Sequence, residues 1–160
     1  MKDNSTIKEK SLQPGETAVR TAVKERVIES VKEDLDPRML LALQAASEKK
    51  ALDIVLLDLR EIATFTDYFL ITSGANQRQV QAIADEVIEK LKKSGTPAAR
   101  VEGYRSAEWI LADYGDFIVH VFEDKARKFY DLERLWREGK RVALPAEFGN
   151  DPVSSLRREL

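Results

Sequence analysis

The chain has 160 residues, 43% of them hydrophobic and 34% charged, enough for one domain with a real core under a well-charged surface. A formal charge of −2 and an isoelectric point near 5.6 argue against a sequence-blind nucleic-acid binder, which normally carries a net basic face, and leave room for a local basic patch. The absence of cysteine and the single histidine, His120, exclude disulfides, thiolate metal sites, a cysteine nucleophile and zinc sites built on several histidines.

In chain order, residues 1–15 are polar and broken by Pro14-Gly15, a composition that predicts disorder. They lack the apolar core of a secretory signal, and their acids count against an organellar transit peptide. No stretch nears the roughly 20 apolar residues of a membrane span. A cytoplasmic protein with no membrane partner is expected. Val19, Val23, Val27, Val31 and Leu35 then recur every fourth residue, which predicts an amphipathic helix over 16–35 within an extension of residues 1–36. The stripe is narrow and valine-rich, so this helix is marginal alone. Docking on the domain, pairing with a second copy and ordering on binding all remain open for it.

Asp36-Pro37 reads as an N-cap followed by a first-turn proline, opening a domain over 37–143. Met39, Leu40, Leu43 and Ala46 give the first helix its apolar face, and Ser47–Lys50 end it. Leu52–Leu59 is a nearly continuous apolar run, as in a strand covered on both faces. Thr64, Thr66 and Asp67 lead into a second strand at Tyr68–Thr72. After the turn Ser73–Asn76, Val80, Ile83, Ala84, Val87, Ile88 and Leu91 mark a long helix that Gly95 stops. Strands follow at Ala99–Glu102, Glu108–Ala112 and Phe117–Phe122, and a last helix over 124–137 carries Phe129, Leu132, Leu135 and Trp136 on one side. Residues 144–160, with Pro145, Gly149 and Pro152, read as a loose tail. The predicted fold class is therefore α/β, a mixed sheet with flanking helices in the order α-β-β-α-β-β-β-α.

Asp113-Tyr114-Gly115-Asp116 between two apolar strands predicts a tight hairpin. With Tyr114-Gly115 as the loop, Asp113 faces Asp116, Leu111 faces Ile118, and Trp109 faces His120. Acids dominate locally: Glu102, Glu108, Asp113, Asp116, Glu123 and Asp124 against Arg105. Ordinary turn chemistry accounts for the aspartates about as well as a functional role does. The functional alternative is an acidic rim beside an aromatic anchor, suited to a basic protein and repellent to RNA phosphates.

The segments ALDIVLLDLREIATFTDYFLITSG, RQVQAIADEV, RVEGYRSAEWILADYGDFIVHVF and ARKFYDLERLWREGKRV occur in that order. Together, across about 38–143, they resemble the ribosomal silencing factor family RsfS, the Iojap-related proteins. The resemblance implies a sheet related to the nucleotidyltransferase fold, no catalytic activity and no cofactor. It implies binding to the large ribosomal subunit through that subunit's ribosomal protein fourteen, steric occlusion of small-subunit joining, and repression of translation. Family members also occur as homodimers. The resemblance places partner contacts at Trp109 and at Tyr114, where relatives often carry leucine. Around these two, Glu108, Leu111, Asp113 and Asp116 complete the expected partner-binding set. It does not cover the N-terminal extension.

The competing reading is a nucleotidyltransferase-like enzyme, which needs clustered carboxylates to hold a divalent metal. Asp53 and Asp58, five apart in one strand, are expected on opposite faces. Asp113 and Asp116 could converge, yet no glycine-rich phosphate loop accompanies them. Ser73-Gly74 before a helix could bind an anion, but reads first as a turn. His120 reads as a packed or hydrogen-bonded strand residue, and Trp136 as core ahead of dimer contact. Thr66-Asp67-Tyr68 reads as a turn cap, with the alternative that Asp67 orients a neighbouring backbone segment in the binding face.

Overall fold

Asp36 caps the first helix through its carboxylate, which accepts the Arg38 backbone N–H at 2.8 Å, and Pro37 takes the first position of α1, Pro37–Glu48. The computed structural model describes residues 35–148, all within one compact unit. The helix expected over 16–35 lies outside the described residues except for Leu35, which is buried.

After α1 come β1 (Leu52–Asp58), β2 (Tyr68–Gly74), α2 (Gln77–Lys93), β3 (Arg100–Glu102), β4 (Trp109–Asp113), β5 (Phe117–Glu123) and α3 (Asp124–Tyr130). To this point the order matches the one predicted. The chain then adds α4 (Leu132–Leu135), β6 (Lys140–Arg141) and a short 3-10 turn at Ala146–Phe148. The single final helix expected over 124–137 is broken because Asp131 adopts a left-handed conformation, φ 47°. Asp tolerates that region better than most residues, so the break leaves little trace in helical periodicity. Leu144 and Phe148 are buried, so residues 144–148 pack where Pro145 suggested a loose tail.

The six strands lie in the order β3-β4-β5-β2-β1-β6. β2 and β5 run parallel, and all other neighbours are antiparallel. Helices α1 and α2 pack together over one face, where alternation sends Ile54, Leu56, Leu70, Ile110, Val119 and Val121. The other face carries Val55, Leu57, Phe69, Ile71, Ile118 and Phe122, with Leu132, Ala126 and Trp136 from the short helices above them. Two unequal roofs result. The first is long and complete; the second is two short helices, and it leaves rings at its edge half-covered.

Alternation does not run through all of β1. A register shift falls between Leu52 and Val55, and Asp53 sits at φ 45°. Counting by twos from Asp53 to Asp58 therefore does not assign their faces, contrary to the expectation. Arg60 holds Asp58 through two charged hydrogen bonds, at 3.0 and 2.8 Å, and this pairing depresses the carboxyl's pKa.

Candidate functional site

The hairpin around Trp109 departs from the expected register by two residues. Trp109 pairs with Phe122, Leu111 with His120 and Asp113 with Ile118, leaving Gly115-Asp116 rather than Tyr114-Gly115 as the loop. Gly115 takes φ 83°, and the Asp116 N–H reaches the Tyr114 carbonyl at 3.1 Å, closing a γ-type turn that a side chain at this position would strain. Tyr114 and Phe117 then stack at 4.9 Å, which the two-residue slip makes possible. Because the slip is even, every side chain keeps its predicted face.

The slip also separates the aspartates. Asp113 faces Ile118 rather than Asp116; its carboxylate accepts the Gly115 N–H at 2.8 Å and approaches Arg100 at 3.4 Å. Asp116 pairs at 2.7 Å with Arg38, which also holds Asp36 at 2.7 Å and lies over the Phe117 ring. The turn is thus less acidic than its sequence window suggested, since arginines from α1 and β3 meet both carboxylates. The Asp116 carbonyl further accepts from the Asp67 and Tyr68 N–H groups, and the Gly115 carbonyl from the Thr66 hydroxyl. Thr66 and Asp67 therefore tie the turn down, beyond the turn cap expected of them and in line with the alternative that Asp67 orients a neighbouring backbone segment.

The expected contact residues divide between the two faces. Tyr114 turns toward the α1/α2 side and is only 8% exposed; burial pushes its phenol up to about 12, and its hydroxyl finds no hydrogen-bond partner among the described residues. In this position it supports the turn rather than presenting a surface. Trp109 and Leu111 lie half-buried on the opposite face, and Glu108 is exposed beside them. The Trp109 indole stacks on Phe122 at 4.9 Å, touches Tyr130 at 5.0 Å, and donates its N–H to His120 Nδ1 at 3.0 Å. Trp109 and His120 are diagonal rather than direct cross-strand neighbours, a separation that large rings span. Burial at 3% exposure depresses the imidazole to about 3, so it is neutral.

From Trp109 a chain of rings crosses the thinly roofed face: His120 meets Phe69 at 4.5 Å, Phe69 meets Trp136 at 5.7 Å, and Trp136 meets Phe65 at 5.7 Å. On the other side Tyr130 leads to Phe129 at 5.0 Å. Phe129 is 81% exposed and Leu135 73%, with Phe65, Tyr130 and Ile62 also open to solvent. Such a cluster of exposed rings marks an interaction surface more often than chance exposure. A cleft of about 650 Å³ runs through it, lined by Ile62, Phe129, Tyr130, Leu135 and Trp136 with Arg134 among the polar groups. A smaller apolar recess of about 290 Å³ opens between Trp109, Leu111, Glu102 and Gly103.

Sequence reasoning missed Gly103. At φ 78° it brings its backbone so close to Trp109 that a β-carbon there would lie 2.0 Å from the Trp109 carbonyl oxygen. Its own carbonyl accepts from Ala107, closing the loop that delivers Glu108 and Trp109. A glycine just after an exposed strand was the available signal. Trp136, placed in the core ahead of any interface, packs against the buried cluster while lining the cleft.

Among the described residues no group of three or more His, Asp or Glu could hold a metal ion. Ser73 and Gly74, expected in a turn, are instead the last residues of β2: Ser73 is buried and accepts from Arg127 at 3.2 Å, and Gly74 packs against Val80 of α2. No described helix is long and apolar enough to cross a membrane.

The sequence signature of the family described as "Ribosomal silencing factor during starvation" matches residues 32–158. Ribosomal silencing factor RsfS of Halalkalibacterium halodurans is 42% identical over 104 residues, spanning 65% of this chain and 89% of that one. The chloroplastic protein Iojap of Zea mays is 32% identical over 102 residues, 64% of this chain and 44% of that protein. A Bacillus halodurans crystal structure superimposes with a TM-score of 0.60 at 42% identity, covering 66% of this chain and 96% of the other. The match takes in both the hairpin and the helices that roof it, and on it the chain belongs to the RsfS family of ribosomal silencing factors.

Proposed function

We propose that this protein binds the large ribosomal subunit through that subunit's ribosomal protein fourteen and sterically blocks joining of the small subunit, repressing translation in the cytoplasm. The observation that carries this reading is the half-buried Trp109, held beside Leu111 on a sheet face that two short helices leave incompletely covered. A protein partner laid over Trp109 would remove apolar ring surface from water without displacing any part of the fold. Glu108 and Glu102 at its margin suit a basic ribosomal protein. Asp113 and Asp116 contribute mainly by fixing the turn through their arginines. Tyr114 acts from beneath, by packing.

The mechanism needs no chemistry. A folded domain anchored on the subunit-joining face excludes the small subunit by volume, so occupancy alone sets the effect. Homodimer formation and kinship to the nucleotidyltransferase fold belong to the same reading, without a catalytic role. Purified protein added to purified large subunits should co-sediment with them and lower the yield of joined ribosomes in proportion to occupancy. Recovery only in ribosome-free fractions would contradict it.

A further inference from the structure

We infer that His120 is a positioning residue for Trp109: by accepting the indole N–H at Nδ1 it fixes the ring in the pose that meets the ribosomal partner. The inference rests on the reading of Trp109 as a partner contact.

Stability alone gives little reason for a histidine here. The side chain is 3% exposed, edge-on to Phe69 at 4.5 Å and stacked against Phe122 at 6.3 Å. Since Nδ1 accepts from Trp109, the neutral ring carries its proton on Nε2, and Nε2 finds no hydrogen-bond partner among the described residues. A buried donor left in this way lowers stability, whereas phenylalanine would fill the space with no polar atom to satisfy. What the imidazole adds is its bond to Trp109.

That bond matters because Trp109 lies at an edge. Phe122 and Tyr130 contact the indole, but the ring is only half-buried and the roof above it is short. Packing alone leaves such a ring free to choose among rotamers. Directing the N–H inward removes that choice and engages the only polar atom of the side chain, so the exposed remainder is wholly apolar. A partner covering it strands no donor and has less side-chain freedom to freeze.

The sequence makes the test clean, with one histidine and two tryptophans in the whole chain. In the full-length 15N-labelled protein, Trp136→Phe identifies the Trp109 indole signal. That signal should lie downfield and exchange slowly with solvent, and long-range 15N spectra should place the His120 proton on Nε2. His120→Phe should keep the wild-type melting temperature or exceed it, move the indole signal upfield, and weaken binding to purified large subunits about three- to tenfold. His120→Asn, whose Oδ1 can stand where Nδ1 stood, should recover the indole shift and part of the affinity. A wild-type spectrum with the proton on Nδ1 overturns the inference whatever the variants do. So does a folded His120→Phe protein binding at wild-type strength while Trp109→Ala has lost binding. Wild-type affinity in a folded Trp109→Ala protein instead brings down the reading of Trp109 itself.

Discussion

Burial of one imidazole makes this fold sensitive to acid. His120 titrates near 6.5 when free and near 3 in the folded protein, where its neighbours are the rings of Phe69, Trp109 and Phe122. Between those values the unfolded chain binds one more proton than the folded one, so stability is complete above about pH 6.5 and falls as the pH drops toward 3. Asp36 and Asp58, whose carboxyls Arg38 and Arg60 hold below 3.8, add to this loss only at the acid end. Denaturant midpoints should therefore decline from about pH 7 to about pH 5 in the wild type and stay level in His120→Phe. Tyr114 offers a second test at this scale. Its hydroxyl is buried without a partner, so Tyr114→Phe should leave thermal stability unchanged or raise it by up to about 1 kcal/mol. Tyr114→Ala should cost roughly 3 kcal/mol by opening a cavity beside Phe117. Binding loss in that variant would then report folding, which a melting curve run in parallel would reveal.

At the scale of elements, the short roof is held by one buried charge. Arg127 of α3 reaches Glu133 at 2.9 Å, Ser73 Oγ at 3.2 Å and the Leu52 carbonyl at 3.3 Å, tying the α3/α4 corner to β1 and β2. Arg127→Met should destabilise by about 3 kcal/mol, because Glu133 loses its 2.9 Å partner and, among the described residues, keeps Arg141 at 3.2 Å. The turn between the two helices is a separate weak point. Asp131→Val should lose about 1–2 kcal/mol at φ 47°, while Asp131→Gly should not, and paired melting curves decide it. These contacts explain what the sequence could and could not convey. Continuous apolar runs exposed β1, β2 and β5, and a helical stripe exposed α2, because their central residues are buried. The hairpin's faces followed from alternation, but its register depended on Tyr114 and Phe117 stacking across a Gly115 turn, a preference alternation does not encode. Asp131 acts through backbone conformation, and Arg38 and Arg100 reach the turn from other elements, so none of the three announced itself locally.

On the scale of the whole molecule, the two faces of the sheet divide the labour. Helices α1 and α2 make a complete core on one side, and the other side buries its own apolar cluster beneath two short helices. Beyond that cluster the second face carries exposed rings at Phe65, Tyr130 and Phe129, with the half-buried Trp109 between them. Trp109 is the residue in which these roles meet, since it packs on Phe122 and still reaches solvent. The most direct test is a titration of purified large subunits with wild-type and Trp109→Ala protein, read by co-sedimentation and by joining with small subunits. Occupancy by the wild type should suppress joining, and a folded Trp109→Ala protein should bind more weakly by about 2 kcal/mol and restore joining at matched concentration. Equal binding and equal suppression by a folded Trp109→Ala protein would contradict the account.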